Sequence, residues 1–213
     1  MDRFAERLGE EIVKGLPGTD VQWEMASSDR LVRGFPKVPG KDAAQAAVLI
    51  PLYRHNGSIR TVFIQRPEYN GVHGGQISFP GGKKEMKDNS LVETALREAL
   101  EETGIENSTV NIIGGLTPLF IPVSNIIVAP YVGWCSNRPE FKPEKKEVVF
   151  IIEAELKPFL DYSIVSHKPF NIRGERIDIK YFDYKGSVIW GATAMILHEL
   201  LVIMNKANLS SAE

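Results

Sequence analysis

The spacing of hydrophobic residues predicts a helix near each end of the chain. Residues 1–16 place hydrophobic side chains at helical spacing, with charged residues between them, and Gly15 marks the end of the pattern. Residues 189–204 form a longer apolar stretch that we also interpret as a helix. Proline, glycine and serine are frequent over residues 19–40, so we expect an irregular connector there.

Runs of β-branched and aromatic residues predict a sheet between these helices. Residues 46–53 and 59–66 have this composition, and Asn56-Gly57 between them is the strongest short signal for a β-hairpin. Further strands are predicted at residues 110–118, 126–135, 148–152 and 177–184, with breaks at Pro122 and Pro130 and a short helix at residues 156–162. This mixture of strands and helices predicts an α/β sandwich.

A third helix, in the middle of the chain, follows a glycine-rich turn and carries many carboxylates. Ser90 lies three residues before Glu93, which is the capping-box pattern of a helix start. Gly104 supplies the left-handed residue that commonly follows a helix end. We therefore predict a helix over Leu91–Thr103. Its apolar stripe consists of Leu91, Ala95 and Ala99.

The charged residues of this helix have a spacing that brings them onto one surface. Arg97 and Glu101 are four residues apart, as are Glu98 and Glu102, so we expect an ion pair beside two neighbouring carboxylates. Like charges at this spacing destabilise a helix by roughly 0.2–0.5 kcal/mol per pair, and a divalent cation would remove the conflict. Carboxylates of this kind suit Mg²⁺ or Mn²⁺. The alternative is a solvated helix face without a ligand.

The neighbouring residues favour the metal site. From Arg97 the sequence reads R-E-A-L-E-E-T-G-I, which resembles the second half of the Nudix box, R-E-U-x-E-E-x-G-U with U an aliphatic residue. The first half departs from that pattern, because Asn89 and Lys83 stand where the box has a glutamate and a glycine. A one-residue insertion between the glycine and the helix would produce this shift. Glu85 or Asp88 would then supply the missing acid.

A second motif lies upstream, within residues 62–82. Its informative residues are Arg66, Gly75, Phe79, Pro80, Gly81 and Gly82. They match the extended signature of the coenzyme A pyrophosphatase branch of the Nudix hydrolases, which the chain therefore resembles, and that branch has the longer spacing between glycine and helix. Ile64, Pro67 and Gly71 do not match. Gly71 stands where the branch has a second arginine, a natural bidentate anchor for phosphate.

The resemblance implies a fold, an activity and residue roles. Residues 41–213 would form the Nudix α/β/α sandwich, with a mixed sheet and a loop-helix-loop catalytic motif, and residues 1–40 would pack on it. Water would attack phosphorus in a diphosphate with the help of Mg²⁺ or Mn²⁺. The catalytic residues would be Arg97, Glu98, Glu101 and Glu102, of which the three glutamates hold the metal and Arg97 holds Glu101. The substrate would be bound by Arg66, Gly81, Gly82 and Lys83, with Lys84 as a further candidate.

The general base and the substrate stay open. The base is one of the box glutamates, Glu144, Glu147, His73 or His167. The leading substrate is coenzyme A, cleaved to adenosine 3′,5′-bisphosphate and 4′-phosphopantetheine. The alternatives are another nucleoside diphosphate derivative, such as ADP-ribose, and a non-catalytic nucleotide-binding module. The intact set of acids disfavours the module, because binding alone would not require it.

Composition narrows the partners. The 213 residues suit one domain, and 43% hydrophobic residues are ample for a core. A net charge of −2 gives no basic surplus for nucleic acid, and no apolar run approaches the ~18 residues of a membrane span. The single cysteine, Cys135, is expected in the core, and no secretory signal pattern is present, so we expect a cytoplasmic protein. A homodimer is a possible assembly.

Overall fold

The computed structural model of the protein describes residues 2–28, 39–68, 75–172 and 174–209. Two residues considered above, Gly71 and His73, lie outside the described residues. The helices are α1 (Arg3–Lys14), α2 (Thr19–Trp23), α3 (Leu91–Thr103), α4 (Lys157–Leu160) and α5 (Gly191–Lys206). The strands are β1 (Ala44–His55), β2 (Ser58–Gln65), β3 (Ile77–Ser78), β4 (Gly81–Lys83), β5 (Val110–Gly115), β6 (Leu119–Ile121), β7 (Ile126–Cys135), β8 (Phe150–Glu155), β9 (Val165–Ile172), β10 (Glu175–Tyr184) and β11 (Ser187–Ile189).

Two sheets are formed by the strands of the described residues. Eight strands make a mixed sheet whose main path is β3-β2-β1-β7-β5, with β4 paired to β1, β6 to β7 and β8 to β2. In it β1 and β7 run parallel, and the other pairs are antiparallel. A smaller antiparallel sheet has the order β11-β10-β9. The predicted α/β architecture with a mixed sheet is confirmed.

The two faces of strand β1 contact the two layers that pack on the large sheet. Its side chains alternate between faces, as in any strand. Ala47 and Leu49 contact the buried Ala95 and Ala99 of α3, which confirms the predicted apolar stripe of that helix. Residues of the opposite face join the main core, together with α1, α2 and α5. The small side chains of Ala95 and Ala99 allow α3 to lie close to the sheet. The charged residues of α3 therefore lie beside β4, where Glu102 accepts from the Gly81 N–H.

Several predicted elements agree with the structure. The hairpin turn is present, with φ of 49° at Asn56 and 74° at Gly57, and both positive angles belong to the turn type that Asn-Gly favours. The thiol of Cys135 is buried and free, as expected of a core cysteine. Within the described residues no helix is both long and apolar enough to cross a membrane.

The expected connector over residues 19–40 is wrong in its first part, where α2 forms. This helix is stabilised by tertiary contacts rather than by local propensity: the Gln22 side chain is buried and donates hydrogen bonds to Glu199 of α5, at 2.8 Å, and to the Thr117 carbonyl, at 2.7 Å. Met25, just after the helix, is also fully buried. Contacts with residues almost 180 positions away leave no local trace in the sequence.

Pro130 does not break a strand, contrary to the sequence expectation. It lies inside β7, opposite Val48 of the parallel β1. The N–H and carbonyl of one strand residue point to the same side. The Pro130 carbonyl accepts from the Leu116 N–H, at 2.9 Å, so the missing N–H faces the interruption between β5 and β6. Proline therefore costs β7 no ladder hydrogen bond.

Other differences concern short or polar strands. The predicted strand over residues 110–118 ends early, as β5 at Val110–Gly115, and the one over residues 148–152 lies at Phe150–Glu155. Five strands were not predicted from the sequence, because β9 is rich in polar residues and the other four are very short: β3, β4, β6, β9 and β11. The glycine-rich turn contains β4, whose Gly81 and Gly82 pair with Val48 and Ala47 of β1.

Candidate active site

Helix α3 has the boundaries that its local sequence predicts. The Ser90 side chain accepts a hydrogen bond from the Glu93 N–H at 3.2 Å. Glu93 in turn accepts from the Asn89 N–H at 2.8 Å, which satisfies a second donor at the helix start. At the other end Gly104 has φ 78°, and its N–H donates to the Leu100 carbonyl at 2.9 Å. Both ends of the acidic helix are therefore fixed.

A later loop covers the C-terminal end of α3. The Lys142 N–H donates to the Thr103 carbonyl at 2.8 Å, and the Glu144 N–H donates to the Glu102 carbonyl at 3.2 Å. These two bonds satisfy carbonyl groups that a helix end leaves unpaired. The loop backbone is so close that a Cβ at position 104 would lie 2.9 Å from the Lys142 nitrogen. Residues 142–147 are thus held beside the carboxylates of α3.

Asp88 and Arg97 form the most extensively bonded ion pair of the site. Arg97 Nε and Nη2 donate to the two Asp88 oxygens, each at 2.9 Å. The Thr94 hydroxyl and the Glu85 N–H also donate to Asp88, each at 2.9 Å. The Arg97 guanidinium, with these further donors, holds the pKa of Asp88 well below its usual range. Of the two acids considered for the upstream glutamate, Asp88 is the one that pairs with Arg97 through two hydrogen bonds, whereas Glu85 lies 3.7 Å from its Nη1.

The expected Arg97–Glu101 pair is present, but it is one contact among several. Arg97 Nη1 donates to Glu101 Oε2 at 3.0 Å and to Glu98 Oε1 at 2.8 Å. The Glu101 side chain is 48% exposed, whereas that of Glu98 is only 14% exposed. Arg97 Nη2 also donates to the Lys83 carbonyl at 3.2 Å. The arginine therefore ties the glycine-rich segment to three acids on or beside α3.

Gly82 and Glu98 approach each other very closely. A Cβ at position 82 would lie 2.5 Å from the Glu98 carboxylate, so any other residue there would displace this side chain. Burial raises the pKa of Glu98, and the charges of Glu101 and Glu147 act in the same direction, while Arg97 opposes them. The requirement for glycine at this position thus comes from the packing of a carboxylate against the backbone.

Glu102 is the most buried carboxylate of the site, with 1% of its side chain exposed. One oxygen accepts from the Gly81 N–H at 2.8 Å, and the other lies 3.0 Å from Arg66 Nη2. Burial raises the pKa of Glu102 to about 7, against the lowering effects of Arg66 and the Gly81 N–H, and the charges of Glu98 and Glu147 add to the rise. Burial is therefore the main reason that the ionised form of Glu102 is disfavoured, and the neighbouring carboxylates add to it.

The predicted substrate-binding residues lie at this carboxylate cluster. Arg66 Nη2 also donates to the Gly81 carbonyl at 2.7 Å, and its Nε donates to the Ser78 hydroxyl at 3.2 Å. The side chain of Lys83 is exposed at the end of β4. Contact of these residues with substrate stays a prediction. Ser78 and Thr94, which hold Arg66 and Asp88, were missed. Two positions in the sequence could have indicated these roles: Ser78 lies two residues before the P-G-G turn, and Thr94 lies about one helical turn before Arg97.

The candidates for a general base are separated by their positions. Glu147 is exposed, and its charge raises the pKa of both Glu98 and Glu102, which places it near the two carboxylates. Glu144 bonds to the helix end through its backbone. His167 lies in β9 of the smaller sheet, opposite Lys180. The structure thus brings the loop that carries Glu144 and Glu147, rather than His167, to the acidic helix.

The carboxylates fit a divalent cation in their chemistry. Hard oxygen donors suit Mg²⁺ or Mn²⁺, and a cation would offset the mutual repulsion of Glu98, Glu102 and Glu147. In the part of the chain that the structure describes, no three His, Cys, Asp or Glu side chains converge as a metal-binding group. Instead, the carboxylates of Glu98 and Glu102 bond to Arg97, Arg66 and Gly81.

Comparison with known proteins identifies the family. The NUDIX domain model matches residues 43–169. The Pectobacterium atrosepticum protein named uncharacterized Nudix hydrolase NudL is 34% identical over 165 residues, covering 76% of this chain and 83% of that protein. The chain belongs to the Nudix hydrolase family. These enzymes act on phosphoanhydride bonds of nucleoside diphosphate derivatives and generally use divalent metal ions.

Two further similarities concern other members of this Nudix family. Nudix hydrolase 22, chloroplastic, of Arabidopsis thaliana is 36% identical over 160 residues, covering 72% of this chain and 53% of that protein. The crystal structure of a MutT/nudix family protein from Enterococcus faecalis superposes with a TM-score of 0.52 at 13% identity, covering 88% of this chain and 73% of that chain. At this identity the second similarity shows the fold alone.

Proposed function

We propose that this Nudix hydrolase cleaves the diphosphate of coenzyme A or its derivatives, giving adenosine 3′,5′-bisphosphate and 4′-phosphopantetheine. One observation carries the assignment: Arg66, Gly81 and Gly82, which match the signature of the coenzyme A branch, all contact Glu98 or Glu102. The signature and the acidic helix thus form one site. The single, buried cysteine suits a reducing cytoplasm, where we expect the enzyme to act, and a homodimer stays a possible assembly.

In this proposal Glu98, Glu102 and the more exposed Glu101 hold Mg²⁺ or Mn²⁺. The ion, when bound, neutralises phosphate charge and lowers the pKa of a bound water. Arg97 acts as a positioning residue, because its contacts with Asp88 and Lys83 fix the carboxylates it also bonds. Arg66 and the backbone of Gly81 and Gly82 contribute positive potential for phosphate oxygens.

Glu147 is the residue that we assign as general base. It accepts a proton from the attacking water while the water oxygen bonds to phosphorus, and the bridging P–O bond breaks with its electron pair on the leaving phosphate. Glu147→Gln should lower kcat at least about 100-fold, with little change in metal affinity. Glu144→Gln is the matched control in the same loop and should retain activity. Equal losses in both variants would remove Glu147 from this role.

Coenzyme A and ADP-ribose are separated by the products they give. We expect that coenzyme A is cleaved in the presence of Mg²⁺ or Mn²⁺, that EDTA abolishes the reaction, and that mass spectrometry finds adenosine 3′,5′-bisphosphate. Gly71, in place of the second arginine of the branch, is the observation that favours ADP-ribose as the alternative. Intact coenzyme A beside rapid cleavage of ADP-ribose would overturn the proposed substrate.

The missing arginine gives a second test of substrate choice. Loss of one charged hydrogen-bond partner costs about 1.5–3 kcal/mol, which weakens binding roughly tenfold to a hundredfold without abolishing recognition. Gly71→Arg should therefore introduce or strengthen a preference for coenzyme A over dephospho-coenzyme A. The comparison of kcat/KM for both substrates in both proteins measures this preference. An unchanged ratio would show that position 71 does not contact the 3′-phosphate.

A further inference from the structure

A cavity of about 290 Å³ lies where the large sheet meets the small one, apart from the carboxylates. Three aromatic side chains line it, from β8, from β9 and from the residue before α5: Phe150, Phe170 and Trp190. Polar but uncharged groups complete the lining, including Gln65, Gln76 and Ser187. None of the described residues that line the cavity is charged. Such a lining suits an uncharged, planar group and does not suit a phosphate.

We propose that this cavity binds the adenine base of the nucleotide substrate, an inference that rests on the proposed function and extends it. The Phe170 and Trp190 rings are nearly parallel, at 13°, with centroids 6.5 Å apart. Phe150 contributes a third ring and is 47% exposed. Aromatic side chains bind nucleobases by stacking because every base has a π-face. A cavity of this size takes one end of a substrate rather than the whole nucleotide.

The amide of Gln65 gives the cavity a preference among bases. Its nitrogen donates to the Gly75 carbonyl at 2.5 Å and to the Arg66 carbonyl at 3.3 Å. Two carbonyl partners fix the orientation of the amide, because its nitrogen faces both of them. The side-chain oxygen then remains as an acceptor. It matches the exocyclic amino group of adenine and opposes the carbonyl that guanine has at the equivalent position.

The cavity lies within reach of the catalytic carboxylates. Gln65 directly precedes Arg66, which contacts Glu102, and because successive side chains of an extended segment point to opposite faces, the cavity and the carboxylates lie on the two faces of the sheet at the same end of β2. On the other side of β2, the Val149 N–H donates to the Gln65 carbonyl at 2.9 Å. Phe150 follows Glu147 by three residues, so their Cα atoms are at most about 11 Å apart. A substrate with its diphosphate near the carboxylates can therefore extend its nucleoside towards the aromatic rings.

The apolar end of the other substrate half would be the main competing occupant. An acyl or pantetheine arm needs apolar walls and amide partners, and it has no planar ring to stack. Product fragments separate the two occupants without turnover. Adenosine 3′,5′-bisphosphate carries only the base half, 4′-phosphopantetheine carries only the arm, and guanosine 3′,5′-bisphosphate changes the base alone.

The test measures binding of these three fragments to the full chain with Mg²⁺ present. Phe150→Ala is the main variant because this exposed side chain can be removed without opening the core. Val123→Ala is the matched control, since Val123 is 50% exposed and does not line the cavity. We expect Phe150→Ala to weaken the binding of adenosine 3′,5′-bisphosphate on the order of tenfold. The control should not change its affinity, and 4′-phosphopantetheine should bind both variants equally.

Two further measurements sharpen the result. Trp190 is the tryptophan that lines the cavity, so the adenine fragment should quench its fluorescence, and Trp190→Phe should remove that change. Ethenoadenine, in which the amino group is blocked, and guanine should both bind more weakly than adenine. Equal binding of the adenine and guanine fragments, with no effect of Phe150→Ala, would overturn the inference. Selective loss of 4′-phosphopantetheine would assign the cavity to the arm instead.

Failure of the inference is distinguishable from failure of the proposed function. If the enzyme cleaves ADP-ribose and leaves coenzyme A intact, the proposed substrate is wrong. The cavity would still be an adenine site if Phe150→Ala weakens the adenine fragment. If coenzyme A is cleaved and Phe150→Ala leaves that fragment unaffected, the activity stands and the cavity does not bind the base.

Discussion

Two buried glutamates, Glu102 and Glu199, show how similar burial can serve different ends. Glu199 of α5 is fully buried and accepts from neutral donors: the Gly18 N–H at 3.2 Å, Gln22 Nε2 at 2.8 Å, and the Thr117 N–H at 3.2 Å and hydroxyl at 2.5 Å. Glu102 has an arginine and one N–H, but the charges of two further carboxylates act on it. The first environment satisfies a carboxylate, and the second leaves like charges that a cation would relieve.

The donors of Glu199 also show what it connects. They come from the segment before α2, from α2 itself and from the loop before β6, so one side chain ties three parts of the chain to α5. Glu102 instead joins α3 to β4 and to the end of β2. We infer that Glu199 serves stability and that Glu102 serves catalysis.

The largest expected effect is the loss of activity in Glu102→Gln. Mutation of residues that hydrogen-bond to metal ligands typically lowers metal affinity or activity roughly 10–100-fold. Removal of a ligand itself should therefore lower kcat/KM by at least about 100-fold. The amide can still accept from the Gly81 N–H, and its nitrogen would face the partly exposed Arg66 rather than buried N–H groups, so the melting temperature should fall less than in Glu199→Gln. Steady-state kinetics with coenzyme A and thermal unfolding measure the two quantities. A large loss of stability with near-normal activity would reverse the roles given to the two glutamates.

Glu199→Gln should show the opposite pattern. The new amide group would face donors of Gly18 or Thr117, which leaves buried N–H groups without an acceptor. Each unsatisfied buried group costs about 1–3 kcal/mol, so the free energy of unfolding should fall by that order. Denaturant unfolding measures this loss, and kcat/KM should remain within about twofold of wild type. An unchanged free energy of unfolding would mean that the hydrogen bonds of Glu199 do not stabilise the folded protein.

A smaller effect, with a distinctive pH dependence, is expected for Asp88→Asn. Because Arg97 lowers the pKa of Asp88 in the folded state, ionised Asp88 stabilises the protein above its unfolded pKa of about 3.9. This contribution is lost as the pH falls through the lower folded value. The stability difference between wild type and Asp88→Asn should therefore be full at pH 7 and shrink below about pH 4. Glu85→Gln, on the periphery of the same arginine, should show little change at either pH.

The sequence predicts α3 well because its signals are local. Ser90, Gly104 and the alanine stripe lie within the helix or next to it, so they specify both ends and the buried face. Interactions between residues this close in the chain can be predicted from a sequence pattern. Asp88 was one of two acids expected to replace the upstream glutamate of the box, but its pairing with Arg97, nine residues away, was not predicted.

Long-range contacts account for what the sequence could not predict. Arg66 and Glu102 meet because β2, β4 and α3 converge, and no spacing rule joins residues 36 positions apart. Helix α2 depends on Gln22 reaching Glu199. The aromatic cavity combines residues from β8, from β9 and from the position just before α5, and β9 itself was not predicted. In the sequence, its three aromatic residues give no sign that they share a site, because only the packing of the two sheets brings them together.

Binding of Mn²⁺ tests the central claim, that carboxylates of α3 hold the catalytic cation. Titrations followed by electron paramagnetic resonance would compare wild type, Glu98→Gln, Glu102→Gln and the buried control Glu199→Gln. The account predicts that wild type and Glu199→Gln bind Mn²⁺ with similar affinity, whereas both α3 variants lose most of it while remaining folded. Unchanged Mn²⁺ affinity in Glu98→Gln and Glu102→Gln would contradict the account.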